Sequence, residues 1–235
     1  AGDVLRVKGT QLRPERQFKQ VGTELIGTNT TEAYVEIILL GYEALKDAGV
    51  NNLSIDLTVP LLVPVILKEL ALEKEISDLV RCALDAKNIG EIANIKGEIG
   101  TISRDLLKAA GPAEKSLKIL RNIELPKKAR QICDELGKLI ELLKKIKPEL
   151  VITIDPGEYT GFEYQTGISF SLFASGVRGE LGRGGRYLVN AECGDGEPAT
   201  GFSLYPDSLM RALGSFETEK KIFIPFKSLS YYIFR

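Results

Sequence analysis

The chain has 235 residues, of which 44% are hydrophobic, so it can bury a substantial core as one large or two small domains. Its formal net charge is −1 and no basic segment stands out, which argues against a nucleic-acid partner because phosphate binding needs clustered Lys and Arg. Histidine is absent, which excludes Ser-His, Cys-His and His-metal chemistry within the chain.

Hydrophobic periodicity predicts strands and one helix in the first quarter of the chain. These elements are a strand over 1–6, a loop over 7–15, a strand over 16–26, a helix over 32–48 and a half-buried strand over 53–59. The helix has capping side chains at residues 29–31 and a stop at Gly49.

Residues 60–147 lose the alternating pattern and predict a helical insertion, with Gly and Pro at its joints. Its helices are expected over 65–72, 76–87, 99–109, 113–121 and 127–146. Strands return over 150–154, 162–174, 185–189, 200–204 and 222–226, and Pro206 opens a helix through Leu213. This order predicts an α+β fold, an antiparallel sheet flanked by helices.

Cysteine usage indicates the compartment. Cys82, Cys133 and Cys193 are far apart and odd in number, which fits free thiols in a reducing, cytoplasmic setting and not a disulfide framework or a metal site. No apolar run is long enough to span a bilayer. We therefore expect no membrane partner, no metal and no cofactor.

Two strands carry the functional signals. On the strand over 16–26, Gln20 and Glu24 share a face with Phe18, and polar groups on a core face are costly unless they meet partners or a ligand. A face open to solvent explains the same pattern. The strand over 162–174 precedes glycine-marked segments at 183–187, 194–196 and 198–202, which indicates close approach of a ligand or of another backbone.

These stretches together resemble the catalytic core of class II histidyl-tRNA synthetases. Residues 2–24 resemble motif 2, Tyr164 with residues 166–170 resembles the histidine-binding strand, and residues 184–187 and 198–202 resemble the late glycine segments that lead into motif 3. The resemblance implies one synthetase-like core over 1–235 that contains the insertion. It also places motif 1 and its dimer helix before Ala1, so we expect part of the protein to be missing there.

Several of the positions that depart from the synthetase pattern are those that bind ATP and support adenylate formation in that family. Arg6 keeps the motif 2 arginine that grips the α-phosphate, but Lys8 replaces an acidic residue. Thr160 and Ser208 stand where the family has arginines for the reacting carboxylate and for ATP. Adenylate formation depends on charge-assisted donors of this kind. The resemblance therefore implies no catalytic residues and no aminoacylation.

The amino-acid side of the pocket is better preserved, although Gln165 replaces a tyrosine and Leu188 an acidic residue. The resemblance implies that Glu24 meets the ammonium of free histidine, with Gln20 and Tyr164 beside it. The residues expected to line this histidine-like pocket are Arg6, Gln20, Glu24, Tyr164, Gln165, Gly184 and Gly185.

Lost ATP chemistry with retained amino-acid recognition resembles the regulatory subunits of bacterial ATP phosphoribosyltransferase. That family implies a homodimer that binds and activates the short-form catalytic subunit in the first step of histidine biosynthesis and takes part in feedback by free histidine. Three alternatives stay open. They are a trimmed active synthetase, a sensor of uncharged tRNA, and an assembly scaffold with a vestigial pocket.

Overall fold

The computed structural model of the protein describes residues 1–7, 16–158, 164–190 and 196–214. The predicted loop over 7–15 lies almost wholly outside these residues, as do the start of the strand predicted from Phe162 and the strand predicted over 222–226. Within the described residues, eight strands form one sheet in the order β1-β2-β8-β7-β6-β3-β5-β4. The strands are β1 (Gly2–Leu5), β2 (Gln17–Ile26), β3 (Leu53–Thr58), β4 (Gly111–Pro112), β5 (Val151–Asp155), β6 (Gln165–Ala174), β7 (Gly182–Val189) and β8 (Glu197–Leu204).

The helices follow the predicted pattern closely. They are α1 (Thr31–Asp47), α2 (Leu62–Glu69), α3 (Lys74–Asp85), α4 (Ile89–Asn94), α5 (Gly97–Lys108), α6 (Ala113–Asn122), α7 (Lys127–Ile146) and α8 (Pro206–Leu213). The Thr30 hydroxyl caps α1 by accepting from the Ala33 N–H at 3.3 Å, as the capping residues predict. Helix α2 begins before the predicted residue 65 because Pro64 falls in its first turn, where no backbone N–H is needed.

The predicted α+β fold is confirmed, and the sheet contains one parallel pair among its antiparallel pairs. Strand β3 runs parallel to β5, with Ile55 opposite Ile152. A parallel pair needs a long crossover. Residues 60–147, which hold α2 to α7, supply that crossover, and their apolar side chains join the core beneath the sheet. None of the helices in the described part of the chain has the length and apolar character that a membrane span requires.

The two faces of the sheet differ in chemistry. On one face Phe170 and Leu172 are fully buried, and α1 packs there through Gly41, whose added Cβ would lie 3.2 Å from Leu172. On the other face Ser169 and Thr58 stand opposite each other on β6 and β3. Because side chains alternate along a strand, the central sheet has an apolar face against helices and a polar face on its other side.

Candidate functional site

A glycine-floored cleft lies on the polar face of the sheet. Glu24 on β2 is opposite Gly201 on β8, Gly201 is opposite Gly185 on β7, and Gly185 is opposite Ser169 on β6. Directly opposite residues point to one face. The two glycines therefore leave a floor without side chains between Glu24 and Ser169.

The glycines are needed because other groups approach their backbones closely. A Cβ on Gly201 would lie 1.8 Å from the Glu24 Oε2, and one on Gly185 would lie 2.5 Å from the Gln165 Oε1. A Cβ on Gly184 would instead meet the Gly201 carbonyl oxygen at 2.2 Å. The close approach of another backbone, one of the two explanations expected from the sequence, is thus seen at Gly184, whereas polar side chains of the protein itself lie over Gly185 and Gly201.

Five of the seven predicted site residues line one small cavity of about 40 Å³ in this cleft. They are Glu24, Tyr164, Gln165, Gly184 and Gly185. The other lining residues, which the sequence analysis did not select, are Arg183, Tyr187, Gly201, Phe202 and Ser203.

The Gln165 side chain fills the floor of the cleft. Gln165 is only 2% exposed, and its Nε2 donates to the Gly184 carbonyl oxygen at 3.4 Å and to the Tyr164 hydroxyl at 3.3 Å. Its Oε1 is buried and has no hydrogen-bond partner among the described residues. A buried acceptor without a donor is costly, so the floor of the cleft offers an open hydrogen-bonding position.

Tyr187 organises the wall that carries Glu24. The Tyr187 hydroxyl donates to the Glu24 carboxylate; burial raises the pKa of Glu24, and the hydrogen bond from Tyr187 opposes that rise. The pKa of Tyr187 is raised by burial and by the neighbouring Glu24. The rings of Tyr187 and Tyr164 meet edge to face at 6.0 Å between centroids. Glu24 nevertheless remains open to solvent, as the alternative reading of β2 expected.

Arg6 and Gln20 lie outside the cavity. The Arg6 guanidinium stacks over the Phe18 ring at 4.7 Å from its centroid, and its Nη2 donates to the Tyr205 hydroxyl at 3.4 Å. Gln20 is partly buried on the same face of β2 as Phe18. Arg6 therefore contacts Phe18 and Tyr205, neither of which lines the cavity.

A buried ion pair stands beside the cleft. The Arg183 Nη2 lies 2.8 Å from the Glu180 Oε2, and the Glu180 side chain is 2% exposed. Burial lowers the pKa of Arg183, but Glu180, Tyr205 and Tyr164 together outweigh that effect and the pKa is raised overall. The sequence did hold a signal for this group, because Arg183, Gly185 and Tyr187 alternate along β7 and must share one face.

The positions that depart from the synthetase pattern are only partly visible. Ser208 on α8 is fully buried, and its Oγ accepts from the Arg211 Nη2 at 3.0 Å. Lys8 and Thr160 lie outside the described residues.

In the part of the chain that the structure describes, no three His, Cys, Asp or Glu side chains are arranged to hold a metal ion. Cys82 and Cys133 carry free thiols, and Cys193 lies outside the described residues.

A helix-backed, mainly antiparallel sheet with a small polar cleft on its other face is the arrangement expected of a class II synthetase-like protein. The family model described as histidyl-tRNA synthetase matches residues 1–209, and the chain belongs to this family. Within it, the ATP phosphoribosyltransferase regulatory subunit of Rhodospirillum centenum is 48% identical over 225 residues, which cover 96% of this chain and 58% of that relative. The chain thus spans less than two thirds of the length of the curated relatives it matches.

Solved structures agree with this placement. A Bacillus halodurans protein described as an ATP phosphoribosyltransferase regulatory subunit/histidyl-tRNA synthetase matches with a TM-score of 0.78 and 26% identity, covering 91% of this chain and 57% of that one. The ATP phosphoribosyl transferase (HisG:HisZ) complex from Thermotoga maritima matches with a TM-score of 0.64 and 21% identity, covering 80% of this chain and 66% of that one. The second match shows the fold alone.

Proposed function

We propose that the protein is a non-catalytic regulatory subunit of ATP phosphoribosyltransferase, acting in the cytoplasm on the first step of histidine biosynthesis. The observation that carries this proposal is the 48% identity, over 96% of the chain, to a relative that bears this name. A partner is suggested by the Thermotoga maritima structure, which is described as a HisG:HisZ complex. The partner that we propose is the short-form catalytic subunit, which this protein would activate as a homodimer.

Co-sedimentation of full-length protein with a short-form catalytic subunit tests the partnership. We expect one complex at micromolar concentration, and a phosphoribosyl-transfer rate that rises when the regulatory subunit is added. Two separate boundaries, together with a rate that does not change on addition, would remove the main support for this function. The boundary of the protein alone reports whether it is a homodimer.

The absence of aminoacylation is a second part of the proposal. Its support is Ser208, a buried hydroxyl where the synthetase pattern has an ATP-binding arginine. Without that cation, charge developing on the transferred phosphate lacks a charge-assisted donor. We expect histidine-dependent ATP–pyrophosphate exchange by the full-length protein to equal the no-enzyme control. Exchange above that control would favour an active synthetase.

We further propose that the cleft recognises free histidine through Glu24. Glu24 is open to solvent in the unliganded protein, and its contact with a ligand ammonium contributes about 1.5–3 kcal/mol once the bound ligand covers it from water. Glu24→Ala should therefore weaken binding by about tenfold to a hundredfold. Glu36→Ala, at an exposed carboxylate on α1, is the matched control and should bind like the parent.

The size of the cavity sets a condition for this binding. A volume of about 40 Å³ holds roughly three waters and no amino acid. The Gln165 side chain would have to leave its place over Gly185, which would also free its buried Oε1 to accept from the ligand. Gln165→Ala enlarges the cavity but also removes that acceptor, so tighter histidine binding by this variant would show that the steric obstruction outweighs the lost hydrogen bond.

Because the Gln165 side chain fills the floor of the cleft, a second candidate function is an assembly scaffold whose pocket binds no ligand. Calorimetric titration of histidine into the full-length protein, alone and with its catalytic partner, distinguishes the two. Binding that Glu24→Ala weakens supports the regulatory pocket. No heat in either sample, for the parent and for Gln165→Ala alike, supports the scaffold.

A further inference from the structure

A second and larger cavity lies on the helix side of the sheet. Its volume is about 410 Å³, within the range of small-molecule sites, and it opens between the start of α1, α7 and the irregular part of β6. Arg186 lines it, whereas its neighbours Gly185 and Tyr187 line the cleft. Because side chains alternate along β7, the two cavities lie on opposite faces of the sheet.

Arg186 brings a buried positive charge to this cavity. The residue is 8% exposed, and its guanidinium lies 3.9 Å from the centroid of the Tyr34 ring. Its Nε donates to the Thr200 Oγ1 at 3.0 Å, its Nη1 to the Asn29 Oδ1 at 2.7 Å and its Nη2 to the Thr30 carbonyl oxygen at 2.6 Å. All three acceptors are neutral, and each Nη carries a second N–H that these bonds do not use.

The charge of Arg186 is poorly balanced. Burial lowers the pKa of Arg186, and Tyr34 and Glu135 oppose the change without cancelling it. Among the described residues, no carboxylate forms a salt bridge with this guanidinium. A buried charge that has only neutral hydrogen-bond partners is less well compensated than one paired with a carboxylate, so an anion placed here is favoured. The N-terminal end of α1, which also borders the cavity, favours an anion as well.

The opposite wall carries both signs of charge. Glu135 and Lys138 lie one turn apart on α7, line the cavity and are exposed. On the sheet side, the pairing of β6 with β7 shifts between Gln165 and Ser169, which takes Gly167 out of the regular ladder. The cavity therefore combines two cations, one carboxylate and backbone released from the sheet.

We propose that this cavity binds a small zwitterion of the α-amino-acid class, with its carboxylate on Arg186 and Lys138 and its ammonium on Glu135. A simple anion would meet the two cations but would be repelled by Glu135. A zwitterion satisfies all three charges at once. The site is separate from the cleft at Glu24 and does not depend on the regulatory role proposed above.

A thermal-shift screen of the full-length protein with each of the twenty L-amino acids, and with inorganic phosphate, tests this assignment. We expect at least one amino acid to raise the unfolding temperature and phosphate to have a smaller effect. The best amino acid is then titrated into variants. Glu135→Gln and Lys138→Gln should each weaken its binding about tenfold, since each removes one charge-assisted contact.

Controls separate this cavity from the rest of the protein. Lys127→Gln removes an exposed cation from the same helix and should bind like the parent. Glu24→Ala should also leave this binding intact, which distinguishes it from histidine in the cleft. The assignment is overturned if no amino acid shifts the unfolding temperature, or if the α7 variants bind like the parent. It is also overturned if phosphate binds more tightly and Glu135→Gln improves that binding, since the cavity would then be an anion site.

Discussion

The hydroxyl of Tyr34 should stabilise the fold through one identifiable bond. Tyr34 is 5% exposed on α1, and its hydroxyl accepts from the backbone N–H of Ile168 at 2.8 Å. Burial raises the pKa of Tyr34 to about 12, so the phenol stays protonated at any ordinary pH. A Cβ on Gly167 would lie 2.0 Å from that oxygen, which shows how tightly it is seated against β6.

Tyr34→Phe removes the oxygen and keeps the ring, so the contact with Arg186 remains. The Ile168 N–H is then left buried without an acceptor, and the expected loss is about 1–3 kcal/mol in the free energy of unfolding. Tyr42→Phe is the matched control, because Tyr42 is 9% exposed on the same helix and its ring contacts Lys147 at 5.0 Å. In the described residues the Tyr42 hydroxyl has no hydrogen-bond partner, so its loss should cost less than about 0.5 kcal/mol.

Urea unfolding of the two full-length variants beside the parent gives the comparison. Hydrogen exchange adds a local readout, because the Ile168 amide should exchange faster in Tyr34→Phe and at the parental rate in Tyr42→Phe. Equal stability of the two variants would refute the reasoning. It would mean that water or a neighbouring group satisfies the Ile168 N–H once the phenol is gone.

Three further predictions test particular positions. Gly201→Ala should abolish histidine binding in the cleft and destabilise the sheet. The added Cβ would lie 1.8 Å from the Glu24 carboxylate and 2.5 Å from the Thr23 carbonyl oxygen. Histidine binding equal to that of the parent, measured by calorimetry, would contradict this. Gly137→Ala, where an added Cβ meets nothing within 4 Å on α7, should stabilise the protein by about 0.5–1 kcal/mol in urea unfolding, and a loss would show that the space is not free. Burial, followed by the nearby carboxylates, raises the pKa of Glu158 from 4.5 to about 7. Between these two pH values the folded state binds more protons than the unfolded state, so the free energy of unfolding falls as the pH rises from 4.5 to about 7. Glu158→Gln should flatten that fall in unfolding curves taken from about pH 5 to about pH 8, and an unchanged slope would assign it to another group.

The helices and strands could be predicted wherever one element carried a complete pattern. Helix α7 has the predicted bounds because its apolar residues repeat over five turns and Pro126 precedes it. Helix α4 was not predicted, since six residues with Gly90 inside are too short to show a stripe. The parallel pairing of β3 with β5 was also beyond reach, because alternation marks a strand without giving its direction.

The candidate site was only partly predictable for a related reason. Glu24, Gln165 and Gly185 were selected from the family resemblance and lie together, but the resemblance gives no distances and also suggested Arg6 and Gln20, which lie outside the cavity. What the sequence could not provide is register. Which residue of β8 stands opposite Glu24, and which side chain covers Gly185, depends on pairing between strands far apart in the chain.

The segment from Gly184 to Tyr187 connects the two cavities physically. Gly185 forms the floor of the cleft, and the next residue, Arg186, forms the wall of the second cavity. One peptide unit joins them, so a ligand that shifts the backbone at Arg186 also shifts the floor of the cleft at Gly185. If both sites are filled, linkage requires each ligand to change the affinity of the other by the same factor. Titrating histidine with and without the second ligand measures that factor, and Glu135→Gln is the control, because it should weaken the second site while leaving every residue of the cleft in place.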